Sequence, residues 1–191
     1  HESENREKCR VKLEIGSSVR PDPYEKRPLV TYIQEYLEEK DFTEEIAAYE
    51  LETVYVNTLD ISRTFLDKVM SVKRHATSGT LSGKVRHIYD VNMLFQRDDI
   101  QSFLQDKEQL KYLIQMTKET DVFYLEKRNL LNTYNPAEPY AFDSWKSLLD
   151  TDIRARYESL HKDLLYTDKK QSFDEAVETF RCIDEIFKEI G

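Results

Sequence analysis

The sequence predicts a mainly α-helical protein with a short β-sheet near its N-terminus. Only four Gly and five Pro occur in 191 residues, a composition that favours helices over a β-sandwich or barrel. Apolar residues recur at helical spacing through most of the chain after residue 59, whereas short strand-like segments occur before it. The length suits one domain with a sizeable core, or one domain and part of a second.

The strands are predicted in the first 58 residues. Residues 10–15 alternate between polar and apolar, which indicates a strand with one buried face. Residues 52–57 include a Val-Tyr-Val run and predict a second strand. Between them, residues 17–28 contain three prolines and predict a loop, and residues 29–38 predict a helix.

Residues 59–191 are predicted to form a separate helical domain. Asp60 or Ser62 can cap a first helix that runs to about His75, because a side-chain oxygen there can accept from free backbone amides. Residues 76–83, with Ser, Thr and two Gly, predict a mobile connection. Further helices are predicted over 85–95, 98–104, 107–125, 144–149, 152–165 and 173–190.

Two charged residues occupy unusual positions on the first two of these helices. Lys68 lies at the edge of an apolar arc, so its ammonium must reach solvent or find a partner. The next helix is apolar almost all round and is predicted to be central, with Arg86 and Asp90 on its least apolar side. The pattern suggests a polar site in a helical core, although an ion pair between Arg86 and Asp90 is a purely structural alternative.

Charge is distributed unevenly along the chain. The net charge is −9, yet residues 61–90 carry six Lys and Arg against two Asp, a local +4. The overall charge argues against a protein that coats nucleic acid. The local excess suits an anionic ligand such as a nucleoside triphosphate or an RNA end, although a solvated basic face is the plainer alternative.

Three other motifs carry weaker information. The segment 79–84 lacks the spacing of a phosphate-binding loop and is rejected as one. Arg156 and His161 have the Arg-x4-His spacing of helical ribonucleases of the HEPN type, a short and common pattern. An aromatic cluster is better explained as a loop anchor than as a base-stacking platform; it comprises Tyr140, Phe142 and Trp145.

The chain is expected to be cytoplasmic. It has neither an apolar run long enough to span a membrane nor an apolar N-terminal stretch like a signal peptide. Cys9 and Cys182 are isolated and fit a reducing compartment. Because residue 1 is His and the first methionine is Met70, we expect the chain to be part of a longer protein.

Five segments in order resemble the nucleotidyltransferase-like toxins of the abortive-infection AbiEii family. Family members look like a polymerase β-type nucleotidyltransferase head followed by a helical region. The resemblance therefore implies that residues 1–58 are the C-terminal part of that head, with a strand, a loop, a helix and a second strand as the remnant of its sheet. The matching segments are Val11–Gly16, Arg63–Lys68, Val85–Val91, Tyr157–Leu160 and Ser172–Glu175.

The resemblance also implies site residues and a reaction. Glu14 would be the third catalytic carboxylate and a Mg²⁺ ligand, Lys68 would contact the triphosphate, and Asp90 would complete the site. Relatives transfer a nucleotide from an NTP to RNA, notably tRNA ends, and are restrained by an antitoxin. Further nucleotide-binding positions would be Lys12, Arg86 and His87.

Part of the implied site is not in this sequence. The family head carries a Gly-Ser or Gly-Gly turn and an Asp-x-Asp pair, and neither precedes Glu14. We therefore expect these residues by themselves to be inactive. Two alternatives stay open: a helical module that binds a partner, with Lys68 and Asp90 as a buried structural pair, and a ribonuclease that uses Arg156 and His161.

Overall fold

A computed structural model describes residues 22–130, 132–163 and 171–190, without the side chains of 161–163. These residues form two strands, eight helices and short 3-10 turns, so the expected mainly helical fold with a small sheet is confirmed. The predicted strand over 10–15, with Lys12 and Glu14, lies outside the described residues. No helix in the described ranges is long and apolar enough to cross a membrane.

The sheet consists of β1 (Tyr24–Leu29) and β2 (Val54–Leu59). The strands are antiparallel, and their register runs from Tyr24 opposite Leu59 to Leu29 opposite Val54. All residues of β1 and all but Leu59 of β2 are exposed. Between the strands lie α1 (Tyr32–Glu39) and α2 (Thr43–Ala48).

The loop predicted over residues 17–28 is wrong for its last part, because residues 24–28 belong to β1. The loop was predicted from its three prolines, and one of them, Pro28, lies within β1 although proline cannot donate to a sheet. In a two-stranded sheet, however, each strand has a free edge, and Pro28 opposite Tyr55 is tolerated there. The second predicted strand is confirmed two residues further along, and the short helix α2 was not predicted.

Helix α3 (Ile61–Thr77) is the centre of the helical core. It begins where predicted, because the Asp60 carboxylate accepts from the Ser62 amide at 2.8 Å. It packs against three helices, α4 (Arg86–Phe95), α5 (Asp98–Gln105) and α6 (Lys107–Lys127). The predicted connection over 76–83 is shorter than expected, because α3 continues to Thr77 and residues 81–83 form a 3-10 turn.

Helix α4 is covered on its other sides by α7 (Thr151–Asp163) and α8 (Phe173–Lys188). Its predicted central position is confirmed by the full burial of Ile88 and Val91. Buried Asn92 donates to Gln171 and accepts from Thr179, both at 2.7 Å. These bonds satisfy a buried amide and fix α4 against the start of α8.

The aromatic cluster is a loop anchor, as predicted. Trp145 and Phe142 are 1% exposed, and their ring centroids lie 4.8 Å apart, edge to face. Residues 142–144 and 146–148 form two 3-10 turns, so the helix predicted over 144–149 is wrong. The chain is held irregular here because the Trp145 indole donates to the Tyr140 carbonyl at 3.1 Å.

The start of α8 offers a local test of stability. The Ser172 hydroxyl accepts from the Glu175 amide, and the Glu175 carboxylate accepts from the Ser172 amide, which makes a capping box. We expect Ser172→Ala to lower the free energy of unfolding by about 1 kcal/mol, measured by urea denaturation. Ser102→Ala, at an exposed position inside α5, is the control and should have almost no effect. Equal losses in both variants would contradict the cap.

Candidate functional site

Lys68 and Asp90 meet between α3 and α4. The Lys68 ammonium donates to Asp90 Oδ2 at 2.6 Å, the short distance of a charge-assisted hydrogen bond. The side chains remain 26% and 36% exposed, so the pair faces solvent in part. The unusual lysine thus finds its partner on the neighbouring helix. The predicted alternative, an ion pair between Arg86 and Asp90, is wrong, because Arg86 is exposed and has no ion pair with any described residue.

His87 completes the immediate surroundings of Asp90. Its Nδ1 lies 3.8 Å from Asp90 Oδ2, too far for a hydrogen bond, and it is buried without a partner among the described residues. Partial burial tends to raise the pKa of Asp90. The neighbouring His87 and Lys68 outweigh this effect, and the net pKa lies below its usual value. Asp90 is therefore ionised at neutral pH.

His75 belongs to the same cluster and was not singled out from the sequence. It lies on the last turn of α3, seven residues after Lys68, a spacing that places both on one side of the helix. Its Nδ1 is 2.7 Å from the Thr80 hydroxyl. Burial, assisted by Arg74, His87 and Lys84, lowers the pKa of His75 to about 4. This imidazole is neutral at physiological pH.

The low pKa of His75 makes stability depend on pH. An unfolded histidine titrates near 6.5, so between pH 6.5 and about 4 the unfolded chain takes up a proton that the folded chain does not. We expect the free energy of unfolding to fall as the pH drops through this range. His75→Gln should make that fall less steep in urea melts at several pH values, and parallel curves for both proteins would contradict the assignment.

Three other cations of α3, Arg63, Lys73 and Arg74, are buried more deeply than Lys68. Arg63 is 0% exposed and Lys73 is 4% exposed. Arg63 donates to Asp67 at 2.9 Å and to Thr120 at 2.8 Å. Burial raises the pKa of Asp67 despite the attraction of Arg63. Arg63 and Asp67 thus form a structural ion pair of the core. The sequence suggested this role for Lys68 and Asp90 as an alternative.

Helix α3 is buried on an apolar side and on a polar side, and the polar side was not recognised in the sequence. The apolar arc of Phe65 and Val69 was visible in the sequence. Arg63 lies on the opposite side, where α6 packs against α3. A helix with partners on two sides shows only one apolar stripe when the second contact is built from polar groups. The sequence did contain a signal for this polar side, namely the charged residues Arg63, Asp67 and Arg74.

The described residues do not form a magnesium site. No group of three or more His, Cys, Asp or Glu side chains that could hold a metal occurs among them. Asp90 contributes one carboxylate, and this group is bound to Lys68. Magnesium prefers several oxygen ligands in octahedral arrangement, which this part of the site does not offer. Glu14, the predicted ligand, lies outside the described residues, as does Lys12.

A family model described as "Nucleotidyl transferase AbiEii toxin, Type IV TA system" matches residues 2–179. The chain belongs to this AbiEii family. No curated protein and no solved structure gives a significant match. Family membership confirms the resemblance drawn from the five segments and supports a toxin nucleotidyltransferase function in general. It also points to an antitoxin as partner, because the family is assigned to a toxin–antitoxin system.

The AbiEii match includes every site residue predicted from the sequence, and the structure brings three of them together. Lys68, His87 and Asp90 form one cluster, and Arg86 lies exposed on the first turn of α4 beside it. The ribonuclease alternative gains no support from Arg156, which donates to Asp152 at 2.8 Å in an exposed pair on α7. Nothing is described of the His161 side chain, so that alternative stays a hypothesis.

Proposed function

We propose that this AbiEii protein transfers a nucleotide from an NTP to an RNA acceptor such as a tRNA, and that Lys68 and Asp90 form part of the nucleotide site. The observation that carries the proposal is the bond of 2.6 Å between them, at a partly open position in the most basic segment of the chain. Family membership supports the reaction class. The nucleotide, the acceptor and the residue roles are our inference.

The partial exposure of the pair favours a ligand-binding role over a structural one. A lysine ammonium has three donors, and Asp90 is its hydrogen-bond acceptor among the described residues. The remaining donors can therefore contact phosphate oxygens that approach from solvent. The structural pair on α3 differs in its cation, because Arg63 is 0% exposed, although its partner Asp67 is 27% exposed.

The proposed reaction is an in-line attack of an RNA hydroxyl on the α-phosphate of the NTP. The new bond joins the hydroxyl oxygen to the α-phosphorus, the bond to the bridging oxygen breaks, pyrophosphate leaves, and the hydroxyl proton passes to water. Lys68 offsets negative charge on the triphosphate as a compact cation. Because its pKa is lowered, Asp90 is a weak base, and we assign it to orienting Lys68 rather than to accepting the hydroxyl proton.

We propose supporting roles for other residues of the basic segment. Arg86, exposed on the first turn of α4, is positioned to add positive charge near the phosphates, and the neighbouring His87 lies against Asp90. By the family resemblance, Lys12 also contacts the nucleotide, and Glu14 binds Mg²⁺. The described residues offer no magnesium site, so we derive no step of the reaction through the metal.

A transfer assay tests the proposed function. Each of the four labelled NTPs is incubated with total RNA, with and without Mg²⁺, and labelled RNA is resolved on a gel. The assay compares residues 1–191 with the product of the whole reading frame, because no Asp-x-Asp pair precedes Glu14 in these residues. We expect label in RNA from the whole product in Mg²⁺ and none from residues 1–191. Lack of transfer with every NTP would reject the proposal.

A further inference from the structure

A cavity of about 910 Å³ lies away from the Lys68 and Asp90 pair, on the α6 side of the helical core. Its walls come from α6, the segment 137–141 and the C-terminal end of α8. This volume is within the range of roughly 300–1,000 Å³ found for small-molecule sites in proteins. We call it the α6–α8 cavity.

The interior of the α6–α8 cavity is mainly apolar. Aromatic and aliphatic side chains form most of the surface, which favours a ligand with an apolar body over one that needs many hydrogen bonds. The residues that form this apolar surface include Met70, Ile114, Pro139, Tyr140, Phe187 and Ile190.

One wall of the cavity is held in place before any ligand binds. The Lys73 ammonium donates to the Pro139 carbonyl at 2.6 Å, and the Trp145 indole donates to the Tyr140 carbonyl at 3.1 Å. The next residue, Ala141, has a φ of 43°, a left-handed conformation that is unfavourable for a residue with a Cβ. After Ala141, the Phe142 amide donates to Asp184 at 3.1 Å, so hydrogen bonds on both sides fix an unfavourable backbone. Such arrangements occur often at ligand sites.

Positive charge lies at the rim of the cavity. Lys111 and Lys118 are seven residues apart on one face of α6, and neither forms an ion pair with a described residue. Lys188 is neutralised by Asp184 at 2.9 Å. Glu108 is the acidic rim residue that no described cation neutralises. Lys111 and Lys118 are therefore the rim cations that no described carboxylate neutralises.

We propose that the α6–α8 cavity binds a small amphipathic carboxylate, with its apolar body against the apolar walls and its carboxylate at the rim near Lys111 and Lys118. We infer the apolar body of the ligand from the apolar walls. We infer its anionic end from the two ammonium groups that have no ion-pair partner among the described residues. A nucleotide fits less well, because its base and ribose need several polar partners and the walls are mainly apolar. The inference is independent of the proposed transfer reaction.

Trp145 provides a direct signal for binding, because it is the only tryptophan and lies beneath the wall. Its ring is 5.5 Å from that of Tyr140, which lines the cavity. Decanoate is titrated into the protein below its micelle concentration, and Trp145 emission is recorded. We expect a saturable change with decanoate, and a much weaker response to decyltrimethylammonium, which has a similar body and the opposite charge.

Two variants separate the charge from the cavity. Lys111→Glu with Lys118→Glu should weaken decanoate binding by about tenfold or more, because both charge-assisted contacts are lost. Ala137→Leu should weaken binding of any apolar ligand by narrowing the cavity. Lys127→Glu, at an exposed position on the same helix, is the matched control and should bind like the parent protein. Thermal melts confirm that each variant is folded.

Two outcomes would overturn the proposal. The first is the absence of a saturable Trp145 response to decanoate in the folded parent protein. The second is equal decanoate affinity in the parent and the double Lys variant, which would show that the rim lysines do not recognise the carboxylate. Neither outcome depends on nucleotide transfer, so failure here is distinct from failure of the proposed function.

Discussion

Lys68→Ala is expected to lower nucleotide transfer by roughly 10²- to 10⁴-fold, the range for losing a preorganised charge contact in a transition state. Its cost to the free energy of unfolding should be about 0–1 kcal/mol, because the ion pair with Asp90 is partly exposed. Initial transfer rates at saturating NTP measure the first effect, and urea denaturation of the same preparation measures the second. The whole reading-frame product is used for both.

The matched control is Lys107→Ala. Lys107 also donates to a carboxylate on another helix, that of Glu189 at 3.1 Å, but it lies outside the proposed nucleotide site. We expect normal transfer and normal stability from this variant. Transfer at the parent rate by Lys68→Ala would contradict the assignment of Lys68 to the nucleotide site. A large loss of stability in Lys68→Ala would favour the alternative in which the pair is structural and the chain is a binding module.

Arg63→Ala should have the largest effect on stability, roughly 3–5 kcal/mol by urea denaturation. Arg63 is fully buried, and its removal leaves Asp67 and Thr120 without their donor. When a buried cation is removed, its partners stay buried without a hydrogen bond, and the protein loses their full desolvation free energy. The comparison variant is Arg156→Ala, which removes an exposed ion pair with Asp152 and should cost about 0–1 kcal/mol.

A second variant separates the charge of Arg63 from its volume. Arg63→Met combined with Asp67→Leu removes both charges and keeps apolar volume, and it should recover much of the lost stability. If Arg63→Ala proved no more costly than Arg156→Ala, Arg63 would not be the structural ion pair of the core. If the double variant were as unstable as Arg63→Ala, packing rather than unpaired charge would explain the loss.

The helices with strong local signals were predictable from the sequence. Asp60 supplies a capping oxygen, and α3 begins at Ile61 as expected. Helix α6 was predicted over 107–125 and ends at Lys127. Local capping and apolar periodicity determine such boundaries to within a turn.

Features that depend on partners distant in sequence were harder to predict. Residues 24–28 form a strand because β2 pairs with them, although Pro28 locally disfavours a strand. Arg63 is buried because α6 covers it, although its place on α3 is opposite the apolar arc. In both cases a tertiary contact determines the structure, and local sequence propensities do not predict such contacts.

The candidate site was predictable in part for the same reason. Lys68 and Asp90 were identified because a charge beside an apolar arc needs a partner, and the structure brings them to 2.6 Å. His75 was missed, since its low pKa depends on burial and on the charges of Arg74, His87 and Lys84, which only the fold brings close to it. The proposed catalytic roles follow from the family, and the experiments above test them.

A double-mutant cycle on the initial transfer rate tests the central claim, that Lys68 and Asp90 act as one unit in a nucleotide site. The rate is measured for the parent whole reading-frame product, Lys68→Ala, Asp90→Ala and the double variant. We predict that the double variant is about as slow as Lys68→Ala, because Asp90 acts by orienting Lys68. Two results would contradict this prediction. One is that the losses of the single variants multiply in the double variant, and the other is transfer at the parent rate in both single variants.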